Sequence, residues 1–202
     1  MPVRQKSIAK INCNPTSWAL FSAVGDSIVL GAGPVPDIGG FRAPLFAQNP
    51  GCIFIGTLFT VGYHCGYDGA TIATISSNVL PYLAVIAPPP KYILLMAGLN
   101  DLAAGTTPSA TLALLQTFIT NMFAAQAGIA KIIVSTVPHN GDAIGQVEYN
   151  NLILGMSMTN VIVVDGCGTL IPVTDYSTGD HPNNGGYAKI AAQISPTIAG
   201  LL

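Results

Sequence analysis

Charge is what this sequence has least of. Only 8% of its 202 residues are Asp, Glu, Lys or Arg, and seven basic side chains against nine acidic ones leave a formal net charge of −2. The basic residues are scattered, so the chain has no electrostatic footprint for nucleic acid or for an anionic membrane surface. Cysteine is scarce too. Cys13, Cys52, Cys65 and Cys167 form no C-x-x-C pair and no Cys/His spacing that suits zinc. They read as buried thiols, with one or two disulfides as the alternative, and the redox compartment stays open. Long apolar runs are also missing, because Pro88-Pro89-Pro90 splits the most hydrophobic region. No stretch reaches the roughly 18 residues that a membrane span needs, so a soluble protein is expected.

Half of the residues are nevertheless hydrophobic, and a chain of this length makes one domain with one core, residues 1–202. At the amino end, Arg4, Lys6 and Lys10 precede the apolar run Trp18 to Val24, which imitates a secretion signal. That run leads directly into Gly25-Asp26-Ser27 and is better read as a first strand than as a leader. An extracellular address stays open.

Five short runs rich in β-branched and apolar residues are candidate strands: Ala19 to Val24, Ile53 to Leu58, Tyr92 to Ala97, Lys131 to Val137 and Val161 to Asp165. Helical patterns fall between or after them at Thr71 to Ile86, Ser109 to Ala127, Ala143 to Met156 and Gly185 to Leu201. Parallel strands need crossovers, and helices are the usual crossover. The expected fold is therefore α/β, a single three-layer α/β/α domain with a parallel five-stranded sheet of flavodoxin-like type. Nearly continuous apolar strands agree with a sheet buried on both faces. In such a sheet chemistry gathers on the loops beyond the carboxyl ends of the strands.

Three of those places carry candidate residues. Ser27, entered through Gly25-Asp26, can present a hydroxyl at the sheet rim with its own N–H beside it; Asp-Ser is equally a helix start. Asn100, in Gly98-Leu99-Asn100-Asp101, can donate to an oxyanion or make an Asx-turn. His181, in Asp180-His181-Pro182-Asn183 before the last helix, can serve as a base, with His64 and His139 as the comparison set.

Taken in order, Gly25-Asp26-Ser27, Gly98-Leu99-Asn100-Asp101 and His181-Pro182 resemble the serine, asparagine and histidine blocks of the SGNH (GDSL-like) hydrolases. The glycine block is matched by His64-Cys65-Gly66-Tyr67-Asp68-Gly69-Ala70-Thr71, with Gly69 in the oxyanion position. Within that family, Gly40-Phe41-Arg42-Ala43-Pro44-Leu45, Ile55-Gly56-Thr57-Leu58 and the His-x-Gly-x-x-Gly string are similar to acetyl xylan esterases and related carbohydrate deacetylases. The resemblance implies Ser27 as nucleophile, His181 as general base, and an oxyanion hole of Ser27 N–H, Gly69 N–H and Asn100. It implies a small ester or an acetylated carbohydrate as substrate, and no cofactor or metal.

The sequence departs from the family at the histidine. The pattern Asp-x-x-His-Pro puts an acid three residues before the base, where this chain has Thr178. The acceptor expected at the second ring nitrogen of His181 is the Thr178 carbonyl, with Asp175 as runner-up and Asp180 as the sequence neighbour.

Other chemistries fit less well. Gly31-Ala32-Gly33 is followed by Pro36 where a dinucleotide fingerprint has its third glycine, Ser27 lacks a G-x-S-x-G elbow, and there is no P-loop string. The remaining alternatives are a lipase or thioesterase of the same fold and a non-catalytic glycan-binding module that retains it.

Overall fold

The structure is a computed structural model that describes residues 18–33, 39–141 and 144–202. Its first strand, β1 (Ala19–Gly25), is the apolar run before Ser27, buried along nearly its whole length. Arg4, Lys6, Lys10, Cys13 and Pro36 lie outside the described residues. A one-turn helix, α1 (Ser27–Leu30), follows β1, and α2 (Arg42–Gln48) returns the chain toward the sheet.

The expected second strand is where sequence and structure part. Ile53 to Leu58 is not one strand. The chain forms β2 (Cys52–Phe54), β3 (Leu58–Thr60) and β4 (Gly62–Gly66). β2 pairs in parallel with the first half of β1 (Ala19 with Cys52), and β4 pairs in parallel with its end (Gly25 with Gly66). β3 turns antiparallel onto the free side of β4. The break falls at Gly56, where a Cβ would strike the His64 backbone. The chain crosses itself there too closely for any side chain, and Gly62, at φ +84°, closes the hairpin.

From β4 the chain continues through α3 (Ile72–Val85), β5 (Tyr92–Met96), α4 (Leu99–Ala103), α5 (Pro108–Ala125), β6 (Lys131–Ser135), α6 (Gln146–Leu154) and β7 (Val161–Val164). The pair β8 (Tyr176–Thr178) and β9 (His181–Pro182) precedes α7 (Asn184–Ala199). The sheet runs β3-β4-β1-β5-β6-β7, with β2 beside β1. The five parallel positions are present, the second filled by two short strands, and the antiparallel β3 makes seven strands.

Side chains cap the starts of the three long helices α3, α5 and α7. Thr107 accepts from Ala110 N–H ahead of Pro108, Thr71 from Thr74 N–H, and Asn183 from Gly186 N–H. Right-handed crossovers send α2 to one face as the chain moves from β1 to β2, and α3, α5 and α6 to the other as it moves back across. The packing follows that rule: α3 lies on α5, α5 on α6, and α2 on α7. The order reverses between β1 and β5, the switch point at which open sheets bind ligands. Ser27 follows β1 and Asn100 follows β5, so both stand at its rim.

The core is apolar and continuous, with Phe21, Ile93, Leu94, Ile133, Phe118 and Tyr187 among its buried members. Cys52, Cys65 and Cys167 are buried free thiols, and burial pushes the Cys52 thiol up to about 12. Among the described residues, no helix is long and apolar enough to cross a membrane.

Candidate active site

Ser27 is placed by glycine and by a cap. A Cβ at Gly25 would meet the Met96 carbonyl of the adjacent strand, so only glycine lets β1 end against β5 at this height. Asp26 caps α1, its Oδ1 accepting from Ile28 N–H at 3.0 Å. The helix-start reading of Asp-Ser and the nucleophile reading are thus compatible: Asp26 is the cap and Ser27 the first residue of the helix. A first-turn N–H has no carbonyl within its own helix to bond, which leaves the Ser27 amide available at the rim.

His181 reaches Ser27 from the far end of the chain, its Nε2 2.9 Å from Ser27 Oγ. Its backbone is pinned on several sides. Ser177 Oγ donates to the His181 carbonyl at 3.1 Å, and Asn183 N–H donates to the Asp175 carbonyl at 2.8 Å. The Tyr187 hydroxyl, at the start of α7, donates to the Ala32 carbonyl just beyond α1 at 2.8 Å.

Asn100 and Gly69 meet on the other side. Asn100 Nδ2 donates to the Ala70 carbonyl at 3.0 Å, fixing the amide beside the Gly69 loop and leaving its second N–H proton for another acceptor. Gly69 sits at φ +63° with open space where a Cβ would lie. The next residue after Asn100 adds a clamp that the sequence reading did not assign: Asp101 Oδ2 accepts from Ile72 N–H, the first amide of α3, at 2.9 Å. Gly98, at φ +118°, is excluded from any side chain twice over, since the Tyr149 hydroxyl fills the Cβ position and donates to the Ala97 carbonyl at 2.9 Å.

Between these groups lies a cleft of about 180 Å³ lined by Ser27, Ile28, Leu99, Asn100, Ala103, Ile144, Gly179, Asp180 and His181. It is small, with aliphatic walls at Ile28, Leu99, Ala103 and Ile144. Gln146 braces one side: its amide accepts from Ile144 N–H at 3.1 Å and donates to Asp180 Oδ2 at 3.3 Å. No periodicity or motif marked Gln146 in the sequence.

The candidate acids are engaged elsewhere. Asp175 Oδ2 pairs with Lys189 Nζ at 2.6 Å and accepts from Ile171 N–H at 2.6 Å. The Lys189 ammonium, then the Ile171 amide, hold its carboxyl below the usual carboxylate range. Asp180 Oδ1 accepts from Asn140 N–H at 3.0 Å, and its Oδ2 from Gln146. Thr178 stands opposite His181 in the β8/β9 ladder. Neither His64 nor His139 is beside Ser27: His64 is buried on β4, and His139 follows β6 and bonds Tyr176 through its backbone.

Asp26 is the outlying acid. It is buried, its Oδ2 has no hydrogen-bond partner, and burial, reinforced by the charges of Asp101 and Asp68, pushes its carboxyl up to about 7. Among the described residues no group of His, Cys, Asp and Glu is arranged to hold a metal ion.

Solved structures with this architecture include a family 3 carbohydrate esterase from Clostridium thermocellum, 24% identical with a TM-score of 0.76, covering 91% of this chain and 98% of that one. A family 3 carbohydrate esterase from Talaromyces cellulolyticus is 19% identical, with a TM-score of 0.75 and coverage of 91% and 97%. A variant of an acetyl-xylooligosaccharide esterase from Geobacillus is 18% identical, with a TM-score of 0.65 and coverage of 89% and 94%. At these identities the likeness defines the fold, the three-layer α/β/α sandwich of the SGNH hydrolases. Among curated proteins no relative matches in sequence. The family model of the GDSL-like lipases and acylhydrolases matches residues 23–189, and the chain belongs to that family of carboxylic ester hydrolases.

Proposed function

We propose that this protein is a serine esterase that removes short acyl groups, acetyl above all, from carbohydrate. The observation that carries the reading is the 2.9 Å contact between His181 Nε2 and Ser27 Oγ at the mouth of a small cleft. The similar folds of a family 3 carbohydrate esterase and an acetyl-xylooligosaccharide esterase support the carbohydrate part of it.

In this mechanism Ser27 Oγ attacks the ester carbonyl while His181 Nε2 takes its proton. The oxyanion is met by Ser27 N–H, Gly69 N–H and the free Asn100 Nδ2 proton. Collapse breaks the bond to the alcohol oxygen, which leaves with the proton from His181. Water then attacks the acyl-serine with His181 as base, releasing the acid and restoring Ser27. The Thr178 carbonyl is the acceptor for the second ring nitrogen, so the catalytic unit is a Ser-His dyad. The engagement of Asp175 and Asp180 with other partners favours the carbonyl over either carboxylate.

The test is turnover of acetyl, butyryl and octanoyl 4-nitrophenyl esters alongside acetate release from acetylated xylooligosaccharide. The acetyl ester is expected to turn over fastest and the oligosaccharide to release acetate. Faster octanoyl turnover would move the assignment to a lipase, and no turnover above a Ser27→Ala control would leave a binding module.

A further inference from the structure

The sequence motif around Arg42 and the histidine that opens the glycine block have no part in the mechanism above, and neither residue lines the cleft. Both are buried. A buried guanidinium is costly unless its N–H groups are paired, and here all five contacts it can donate are made. Arg42 Nε donates to the Val29 carbonyl at 3.1 Å and Nη2 to the Leu30 carbonyl at 3.1 Å, gripping the end of α1 two and three residues beyond Ser27. Nη1 donates to the carbonyls of Val61 and Gly62 at 2.9 and 3.1 Å, in the turn of the β3/β4 hairpin. The remaining donation, from Nη2, goes to Thr60 Oγ1 at 3.2 Å.

The path continues through His64. Its Nδ1 accepts from Gly66 N–H at 3.0 Å, so in the neutral ring the proton is on Nε2, which donates to the same Thr60 Oγ1 at 3.2 Å. Gly66 then closes the circuit, because a Cβ there would strike the backbone of Val29 and Leu30. Beyond Gly66, Tyr67 N–H donates to the Gly25 carbonyl, and Ala70 N–H returns to the Tyr67 carbonyl around the turn that holds Gly69.

We propose that Arg42, Thr60 and His64 are positioning residues that form one hydrogen-bonded ring from the Ser27 helix through the edge hairpin to Gly66. The ring fixes the spacing of two oxyanion donors, Ser27 N–H and Gly69 N–H. This rests on the reading of Ser27 as nucleophile. Those donors come from segments 42 residues apart in sequence, and an oxyanion hole acts only when its donors lie about 2.7–3.1 Å from one oxygen position. A displacement of about 1 Å can cost roughly 10²-fold in rate. Thr60 is the joint of the ring, since its single oxygen receives both Arg42 and His64.

Thr60 is exposed on an edge strand, so Thr60→Val preserves a β-branched shape and removes only that oxygen. The experiment compares wild type, Thr60→Val and Thr60→Ser by kcat and KM on 4-nitrophenyl acetate and by amide hydrogen exchange over residues 62–71. Thr60→Val is expected to lower kcat about tenfold with KM nearly unchanged, as for a loss felt only in the transition state. It is also expected to speed exchange over 62–71, and Thr60→Ser should restore both. An unchanged kcat, a loss confined to KM, or a fall in kcat without faster exchange would overturn the ring. If wild type hydrolyses no ester, the nucleophile reading fails by itself, and the exchange data alone decide: faster exchange in Thr60→Val supports the ring and unchanged exchange overturns it.

Discussion

His181 Nε2 lies 2.9 Å from Ser27 Oγ although 154 residues separate them in the chain. The contact joins the start of α1 to the loop before α7, and each end is tied to the other a second time by Tyr187 and Ala32. A proton can pass between the two atoms without rearrangement. Ser27→Ala is therefore expected to cut ester hydrolysis by at least about three decades while leaving the thermal transition in place. Near-wild-type activity in the folded variant would remove the nucleophile assignment.

Asn100→Ala is expected to lower kcat by roughly 10²-fold to 10³-fold with little change in KM, because an oxyanion donor acts mainly in the transition state. The variant also loses the bond to the Ala70 carbonyl that steadies the Gly69 loop. A pure KM effect would place Asn100 in substrate binding instead.

Asp175→Asn and Asp180→Asn are each expected to cost less than about tenfold in kcat, whereas removing a true triad acid costs about 10⁴-fold. Asp175→Asn should show itself in stability, through the weakened contacts to Lys189 and Ile171. A thousandfold loss of kcat in either folded variant would identify that aspartate as the partner of His181 and end the dyad.

Asp26 makes stability depend on pH with a sign opposite to that of a paired carboxylate. Its folded-state value, about 7, lies above the ordinary 3.8, so between those limits the folded protein holds a proton that the unfolded chain has released. Stability must then fall as pH rises through that window, by an amount on the order of a few kcal/mol. Thermal melts between pH 4 and 8 are expected to show this fall in wild type and a flatter profile in Asp26→Asn, which cannot ionise. A wild-type Tm that rises across the window would contradict it.

The parts of the fold that sequence made legible are those whose residues repeat a period over several turns or fill a buried strand. β1, β5, β6 and β7 and the helices α3, α5, α6 and α7 begin and end within a few residues of the runs that announce them. The exception is instructive. Ile53 to Leu58 is apolar enough for a core strand, but Gly56 is pressed against His64 by a crossing that only the tertiary structure contains, so the run breaks. Helices α1 and α4, of four and five residues, are too short to show a period; the Asp26 cap holds α1, and the buried Leu99 and Leu102 hold α4. The candidate site was legible where a residue type suggests a chemical role, as at Ser27, Asn100 and His181, which the structure brings to one cleft. It was not where the work falls to a hydrogen bond between distant segments: Asp101 to Ile72, or Gln146 between Ile144 and Asp180.

Gly25, Gly56 and Gly66 share a property with a consequence of its own. At each, the atom nearest the place of a side chain belongs to another stretch of main chain: Met96, His64 and Leu30. An overfilled core can be relieved by trimming a neighbouring side chain, but a peptide group cannot be trimmed. Trimming a neighbouring side chain therefore does not by itself make room for a Cβ at these three positions. At the cleft walls Ile28, Leu99, Ala103 and Ile144 the contacts are made by side chains, which a compensating substitution can relieve.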